Sequence, residues 1–293
     1  MESDKITKKI KDLEIEAVGL FNQNKEAEIL LAYDGEDRVI SSVEALEELE
    51  AENQLPIFKV QTGIPKLDEI VGDFREGQVV VLSAPTGQGK TSFAQTLTYA
   101  FGEKNINCLW FSYEVGIQEF MEKMPNAPVF YLPRRIKQNS LKWLENKSKE
   151  ALVKFDAKVI FIDHLHYLLE MSKMAEAKSI SLLVGMMMRD LKRMAIENKA
   201  IIFLISHMRK VQYQERMPDM DDLRDSSFVG QEADIVLFIH RLKEKDEDGR
   251  EVSTNNALLK VAKNRRTGNL GYVKLMFING RFQEISEIVC EPI

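Results

Sequence analysis

Residues 79–91 read VVVLSAPTGQGKT: an unbroken apolar run, Val79 to Ala84, then a tight turn with two glycines, then Lys90-Thr91 at the head of a helical pattern. An apolar run of this length bounded by Gly and Pro predicts a strand buried on both faces. The turn Ala84-Pro85-Thr86-Gly87-Gln88-Gly89-Lys90-Thr91 stands between strand and helix, which is the context a phosphate-binding loop requires. Gly87 and Gly89 allow the backbone to aim N–H groups at phosphate oxygens, and the following helix adds its positive end. In that setting Lys90 supplies a mobile point charge to the β and γ phosphates, and the Thr91 hydroxyl is a ligand for Mg²⁺. Ala84 stands where the strict GxxxxGK[ST] pattern has Gly, its least demanding position. The alternative is a Gly-rich strand-to-helix turn that holds no ligand.

Outward from this loop, apolar β-rich runs alternate with helical patterns: NCLWFSY, KVIFID and AIIFLIS each follow a helical stretch. The alternation predicts an α/β fold with a mainly parallel twisted sheet flanked by helices. ADIVLFIH, NALLKVAKN and GYVKLMFI follow with short polar gaps and predict an antiparallel extension, with KEKDEDGRE as a hairpin tip. Ahead of the loop, Ile6, Ile10, Leu13, Ala17, Leu20 and Phe21 recur at three- and four-residue steps, the pattern of a helix with one apolar stripe. That stripe packs either on its own domain or on a neighbouring subunit. Ser41 and Glu44 form a capping-box pattern opening a short acidic helix to about Glu52, and Pro56 marks a boundary. Residues 1–57 are thus expected to be a helical extension and linker, and 58–293 the main domain.

A chain of 293 residues with 44% hydrophobic and 29% charged residues is an ordinary globular protein, with no apolar run approaching a bilayer span. The N-terminus lacks a secretory signal pattern, so a cytoplasmic location is expected. Cys108 and Cys290 form neither a disulfide framework nor a metal cluster. A net charge of −6 argues against a surface that coats nucleic acid, yet it leaves room for basic loops converging on a shared pore.

Two carboxylates stand where ligands sit in an open α/β sheet. Asp163 ends the run KVIFID and can hold Mg²⁺ beside Thr91; alternatively it caps the next helix. Glu114 follows CLWFSY and can polarise an attacking water; alternatively it is a surface carboxylate. His164 and His166 form an H-x-H pair, but without further ligands nearby no zinc site is expected.

Together these residues resemble the DnaB-type replicative helicase family, including the helicase half of phage primase-helicases. The matching elements run in order: Thr62-Gly63-Ile64-Pro65 with Leu67-Asp68, the loop Ala84 to Thr91, Phe111-Ser112-Tyr113-Glu114, Phe161-Ile162-Asp163 and Ile205-Ser206-His207. They continue with Asp222-Leu223-Arg224-Asp225-Ser226 through Gln231-Glu232-Ala233-Asp234, and with Val261-Ala262-Lys263-Asn264-Arg265. The resemblance spans roughly residues 60 to 285 and implies a RecA-like core. It implies Glu114 as the catalytic carboxylate, Asp163 as the acid on the metal side and His207 as a sensor of the γ-phosphate. Gln231 is implied as a second polar sensor near the nucleotide or DNA loop, and Arg265 with Lys263 as the finger inserted into the neighbouring subunit's site. Such a finger makes physical sense, because a guanidinium keeps its charge and can neutralise charge developing on the transferred phosphoryl. The plain alternatives are a core-edge histidine at 207 and a solvated basic strand end at 263–266.

In this family the loops after Asp163 and His207 line the ring channel; here they offer Lys173, Lys178, Arg209, Lys210 and Arg216 as contacts for single-stranded DNA. The resemblance thus implies ATP or another NTP with Mg²⁺, a homo-oligomer in the form of a hexameric ring, and replication proteins as further partners. There is no recognisable primase domain or full-length N-terminal helicase domain ahead of residue 58, and the stretch from Glu114 to Asp163 is short, so a compact phage-like helicase is the expectation. The alternatives are a recombinase or clock-like RecA-core assembly that does not unwind, and a regulator that keeps only the nucleotide site.

Overall fold

The computed structural model describes residues 56–136, 140–164, 180–207, 217–245 and 251–286, and before them 24–35 and 38–52 with scattered positions from 11 to 22. The apolar stripe from Ile6 to Phe21, His166, the hairpin tip at 246–250, Cys290 and all five candidate DNA-contacting residues (Lys173, Lys178, Arg209, Lys210 and Arg216) lie outside the described residues. The chain divides into two compact units, Met1–Pro56 and Ile57–Ile293.

In the first unit, helix α1 (Ser42–Glu52) begins where the capping box predicts. The Ser41 hydroxyl accepts the Glu44 N–H at 3.1 Å, and Arg38 reaches back to Glu44 at 2.7 Å and Glu48 at 3.3 Å.

The second unit opens with β1 (Lys59–Val60), helix α2 (Pro65–Val71) and β2 (Phe74–Arg75), the two strands pairing antiparallel. The turn into α2 is fixed by Asp68, whose carboxylate accepts the Thr62 N–H at 2.8 Å, the Thr62 hydroxyl at 2.7 Å and the Gly63 N–H at 2.9 Å. Next come β3 (Val79–Ala84), α3 (Lys90–Glu103), β4 (Cys108–Ser112), α4 (Ile117–Glu122), α5 (Leu141–Phe155) and β5 (Val159–Asp163). They are followed by α6 (Ile180–Glu197), β6 (Ile201–His207), a 3₁₀ turn (Met220–Ser226), α7 (Ser227–Glu232), β7 (Ile235–Lys245), β8 (Glu251–Asn264), β9 (Gly271–Ile278) and β10 (Arg281–Glu284).

Strands β3 to β10 form one sheet in the order β10-β9-β8-β7-β3-β6-β5-β4. Pairing is parallel from β7 through β3, β6 and β5 to β4, and antiparallel from β7 out to β10. Both the parallel core and the antiparallel extension match the sequence expectation. After β3 the chain crosses to the far edge at β4, returns through β5 and β6, then passes over β3 to β7. Strand order therefore reverses at β3, and the carboxyl end of such a strand opens into a crevice where ligands bind.

Strand alternation divides the core. Val80 and Leu82 face α2 and α3, while Val79 and Val81 face α5, α6 and α7, giving three layers. On the α3 side three aromatic residues stand in register across adjacent strands: Trp110 opposite Phe161, and Phe161 opposite Phe203. Their rings stack with centroids 4.6 Å and 5.0 Å apart, and Phe101 of α3 joins them at 6.4 Å and 6.0 Å. The buried Trp110 indole N–H is satisfied by the Thr98 hydroxyl at 2.9 Å. On the other face α6 sets Met188, Leu191 and Ala195 against the sheet. Helix α5 starts at Ser140, whose hydroxyl accepts the Trp143 N–H at 3.3 Å.

Because Phe161 is the middle member of the stack, Phe161→Ala is expected to destabilise the domain by about 3–5 kcal/mol. Loss of the α5 cap in Ser140→Ala is expected to remove only about 1 kcal/mol. Urea denaturation followed by tryptophan fluorescence checks both; a smaller loss for Phe161→Ala than for Ser140→Ala would contradict this account of the core.

Candidate nucleotide site

The expected loop Ala84 to Thr91 gathers with Glu114, Asp163 and His207 at the carboxyl end of the parallel strands. The loop Ala84 to Thr91 leaves β3 with Gly87 at φ 82° and Gly89 at φ 92°, left-handed values that glycine adopts without strain. Gly89 caps α3, and around Gly87 there is open space where a side chain would otherwise stand. Lys90, 5% exposed, folds back so that its ammonium donates to the Ala84 and Pro85 carbonyls, each at 3.0 Å. Burial lowers its pKa to about 8, against the opposing pull of Asp163 and Glu114. Thr86 and Gln88 complete the loop, and the Gln88 side-chain oxygen accepts the Arg241 N–H at 2.7 Å.

Asp163 ends β5, directly across from the start of α3. Its Oδ2 accepts the Thr91 hydroxyl at 2.8 Å, while Oδ1 is buried with no hydrogen-bond partner among the described residues. Burial raises this carboxyl to about 6; the Thr91 hydroxyl opposes the rise and the Glu114 charge adds to it. A hydroxyl and an unsatisfied carboxylate oxygen side by side are the donor set of a hard divalent cation, so the residues fit Mg²⁺. The alternative reading of Asp163 as a cap for the next helix does not account for its bond to Thr91. An acid pushed toward protonation and a lysine pushed toward neutrality both become more stable when charges of opposite sign arrive, which a metal-bound triphosphate supplies.

Glu114 stands two residues beyond β4 and is partly exposed, so a water can reach it. His207, the last residue of β6, places Nε2 3.8 Å from Glu114 Oε2. The His164 ring meets the His207 ring edge-on with centroids 4.2 Å apart. Glu114, His164 and His207 bring one potential ligand atom each within 4.8 Å of one another.

Three further expected residues, Lys263, Arg265 and Gln231, gather at the other end of the sheet. Lys263 donates to the Gly230 and Gln231 carbonyls at 2.9 Å and 2.7 Å. Arg265 donates to the same Gln231 carbonyl at 2.9 Å and lies 3.5 Å from Asp234 Oδ1. Asp234 in turn accepts the N–H of Val79, the first residue of β3. From Val79 to the loop at Ala84 is the length of β3, about 16 Å at roughly 3.3 Å per residue. Lys263, Arg265 and Gln231 therefore form one cluster that is not at this chain's own loop. Gln231, expected near the nucleotide or the DNA loop, is not brought to this chain's phosphate loop, because α7 enters β7 at the amino end of the parallel strands.

Sequence reasoning missed a surface beside the loop. The Arg241 guanidinium lies 5.6 Å over the Phe277 ring, Phe277 contacts Phe282 at 4.9 Å, and Phe282 presses on Gly89. A cation and an aromatic face next to a phosphate loop form a platform on which a base can stack. Arg241 and Phe277 lie on strands that carry no motif, so only the sheet order could have brought them to notice.

The fold agrees with comparison to known proteins. A family model described as "DnaB-like helicase C terminal domain" matches residues 132–286, more than half of the chain, and a KaiC ATPase model matches residues 60–128. The Mycoplasma genitalium "Replicative DNA helicase DnaB" is 26% identical over 288 residues, covering 86% of this chain and 61% of that protein. The Geobacillus stearothermophilus protein of the same name is 23% identical over 255 residues, covering 76% of this chain and 55% of its own length. The chain thus spans about 60% of the length of the relatives it matches. Among solved structures, one described as an "ATPase Domain" superposes with a TM-score of 0.69 at 24% identity, covering 87% of this chain and all of that one. "The Structure Of A DnaB-Like Replicative Helicase And Its Interactions With Primase" superposes with a TM-score of 0.67 at 24% identity, covering 92% and 76%. At that identity the two structures speak for the fold, a RecA-like ATPase core. With ordered loop, carboxylates and sheet topology beneath a family match over more than half of its length, the chain belongs to the DnaB-like helicase family.

Proposed function

We propose that this chain is an NTP-driven translocase that hydrolyses ATP, or another NTP, between subunits of a ring and moves along single-stranded DNA, unwinding duplex ahead of it. The observation that carries the reading is the separation of Lys90, Thr91, Glu114, Asp163 and His207 from Lys263 and Arg265 by the length of β3. A loop at one end of a subunit and a half-exposed guanidinium at the other cannot complete one site within that subunit. They can do so head to tail, an arrangement that closes into a ring when its rotation permits.

In this reading the loop backbone and Lys90 bind the β and γ phosphates, and the Arg241–Phe277 platform receives the base. Thr91 and Asp163 would hold Mg²⁺, which supplies charge neutralisation on the phosphate oxygens. Glu114 orients a water and accepts its proton as the water oxygen bonds to the γ-phosphorus and the bridging P–O bond breaks, leaving the diphosphate and inorganic phosphate. His207, whose Nε2 lies 3.8 Å from Glu114, would sense the γ-phosphate from the end of β6. Arg265 of the next subunit neutralises charge on the phosphoryl group in flight. Lys173, Lys178, Arg209, Lys210 and Arg216 are the proposed contacts to the DNA backbone. The match of residues 60–128 to a KaiC ATPase favours one alternative, an assembly that turns over nucleotide without unwinding.

Turnover is expected to rise with protein concentration and with added single-stranded DNA, and a forked duplex to be unwound; nucleotide turnover by rings without unwinding supports the alternative. Arg265→Ala should lower turnover by roughly 10³-fold or more. Mixing it with Lys90→Ala subunits should restore part of the rate, since each variant damages a different face of the interface. Unchanged turnover and assembly in Arg265→Ala would overturn the trans arrangement.

A metal titration tests the other half of the site. Removal of Mg²⁺ by chelator should abolish turnover, and Asp163→Asn or Thr91→Ala should raise the Mg²⁺ concentration giving half-maximal rate by about tenfold or more. An unaltered Mg²⁺ dependence in both variants would remove these residues from the metal.

A further inference from the structure

We infer that Asp234 is a positioning residue that couples the strand bearing the phosphate loop to the guanidinium offered to the neighbouring subunit; this rests on the trans arrangement proposed above.

Asp234 lies just ahead of β7 and is 6% exposed. Its main chain is tied on both sides: its N–H donates to the Val79 carbonyl at 2.9 Å, and its carbonyl accepts the Arg265 N–H at 2.8 Å. Its carboxylate repeats the link. Oδ2 accepts the Val79 N–H at 2.8 Å and the Lys192 ammonium at 2.7 Å, while Oδ1 faces the Arg265 guanidinium at 3.5 Å. Lys192 also donates to the Gly77 carbonyl at 2.7 Å, which anchors α6 to the same corner. The start of β3, helix α6 and the end of β8 thus meet on one side chain.

Closing the Val79 N–H needs only a neutral acceptor. A carboxylate does more, because its second oxygen is left to a cation. Lys192 satisfies part of the buried charge, and the long contact to Arg265 aims the guanidinium without locking it. The other arm of the fork is set by the Gln231 carbonyl, which Lys263 holds from beside it. Arg265 remains 49% exposed on its side chain, turned by two fixed acceptors and free to be lifted off them by phosphate. Since Asp234 grips the first residue of β3 and the loop leaves its last, a shift of β3 on nucleotide binding is transmitted to the finger of the same chain, and so to the neighbour's site.

Asp234→Asn keeps the shape and an acceptor for Val79 but withdraws the charge. The assembled variant is expected to lose about 10²-fold in turnover, the scale of a misplaced catalytic group. Binding of a fluorescent ATP analogue, which reads the chain's own loop, should stay within about twofold of the parent. Mixed with Lys90→Ala subunits, Asp234→Asn subunits should regain turnover as Arg265→Ala subunits do, because their intact loops then meet intact fingers. Asp234→Glu, which keeps the charge on a longer arm, should show a smaller loss and the same recovery. If Arg265→Ala recovers on mixing and neither Asp234 variant does, the defect lies in the chain's own loop and the positioning role is wrong. If Arg265→Ala itself fails to recover, the trans arrangement falls first. Failure of both Asp234 variants to fold makes Asp234 a folding residue and likewise overturns the inference.

Discussion

Two opposite charges are kept from water at the carboxyl end of the sheet, and neither finds full compensation inside the protein. Lys90 rests on two carbonyls and Asp163 on one hydroxyl, and burial draws each toward its neutral form. Charges left in that condition favour the arrival of an anion and a cation together. The rest of the domain serves to hold them there. Parallel strands β3 and β5 deliver the loop and the acid to the same level, with β6 between them, and the ring stack from Trp110 to Phe203 clamps β4, β5 and β6 in register beneath.

What could be read in the sequence was the part encoded locally. The run from Val79 to Thr91 contains its own strand, turn and helix start, and Ser41 with Glu44 contains its own cap, so both appear where the residues say they should. Asp163 and Glu114 were legible because a strand end fixes which edge of the sheet a residue reaches. Arg241, Phe277 and Phe282 were not: they come to the loop through pairing of β7 with β3 and of β9 with β8 and β10, contacts set by the whole sheet. Gln231 shows the same limit from the other side. The resemblance implies a place near the nucleotide or the DNA loop, and the direction in which α7 enters β7 decides which end of the sheet it occupies.

The antiparallel extension is more than a lateral continuation of the parallel core. It turns the end of β8 back to the amino edge, where Arg265 and Lys263 sit, and then sends β9 and β10 across the α3 side toward the loop. One hairpin system thereby furnishes both flanks of the domain with chemistry.

Phe282, on the outermost strand, rests against Gly89, and its N–H is taken by the Thr96 hydroxyl within α3. A methyl group at position 89 would stand 3.0 Å from that ring, tighter than ordinary carbon contact. The bend of the loop and the seating of the last strand are therefore a single mechanical joint. Whatever loosens the sheet's outer hem will be felt as a change in the bend of the loop, although the two segments are nearly two hundred residues apart along the chain.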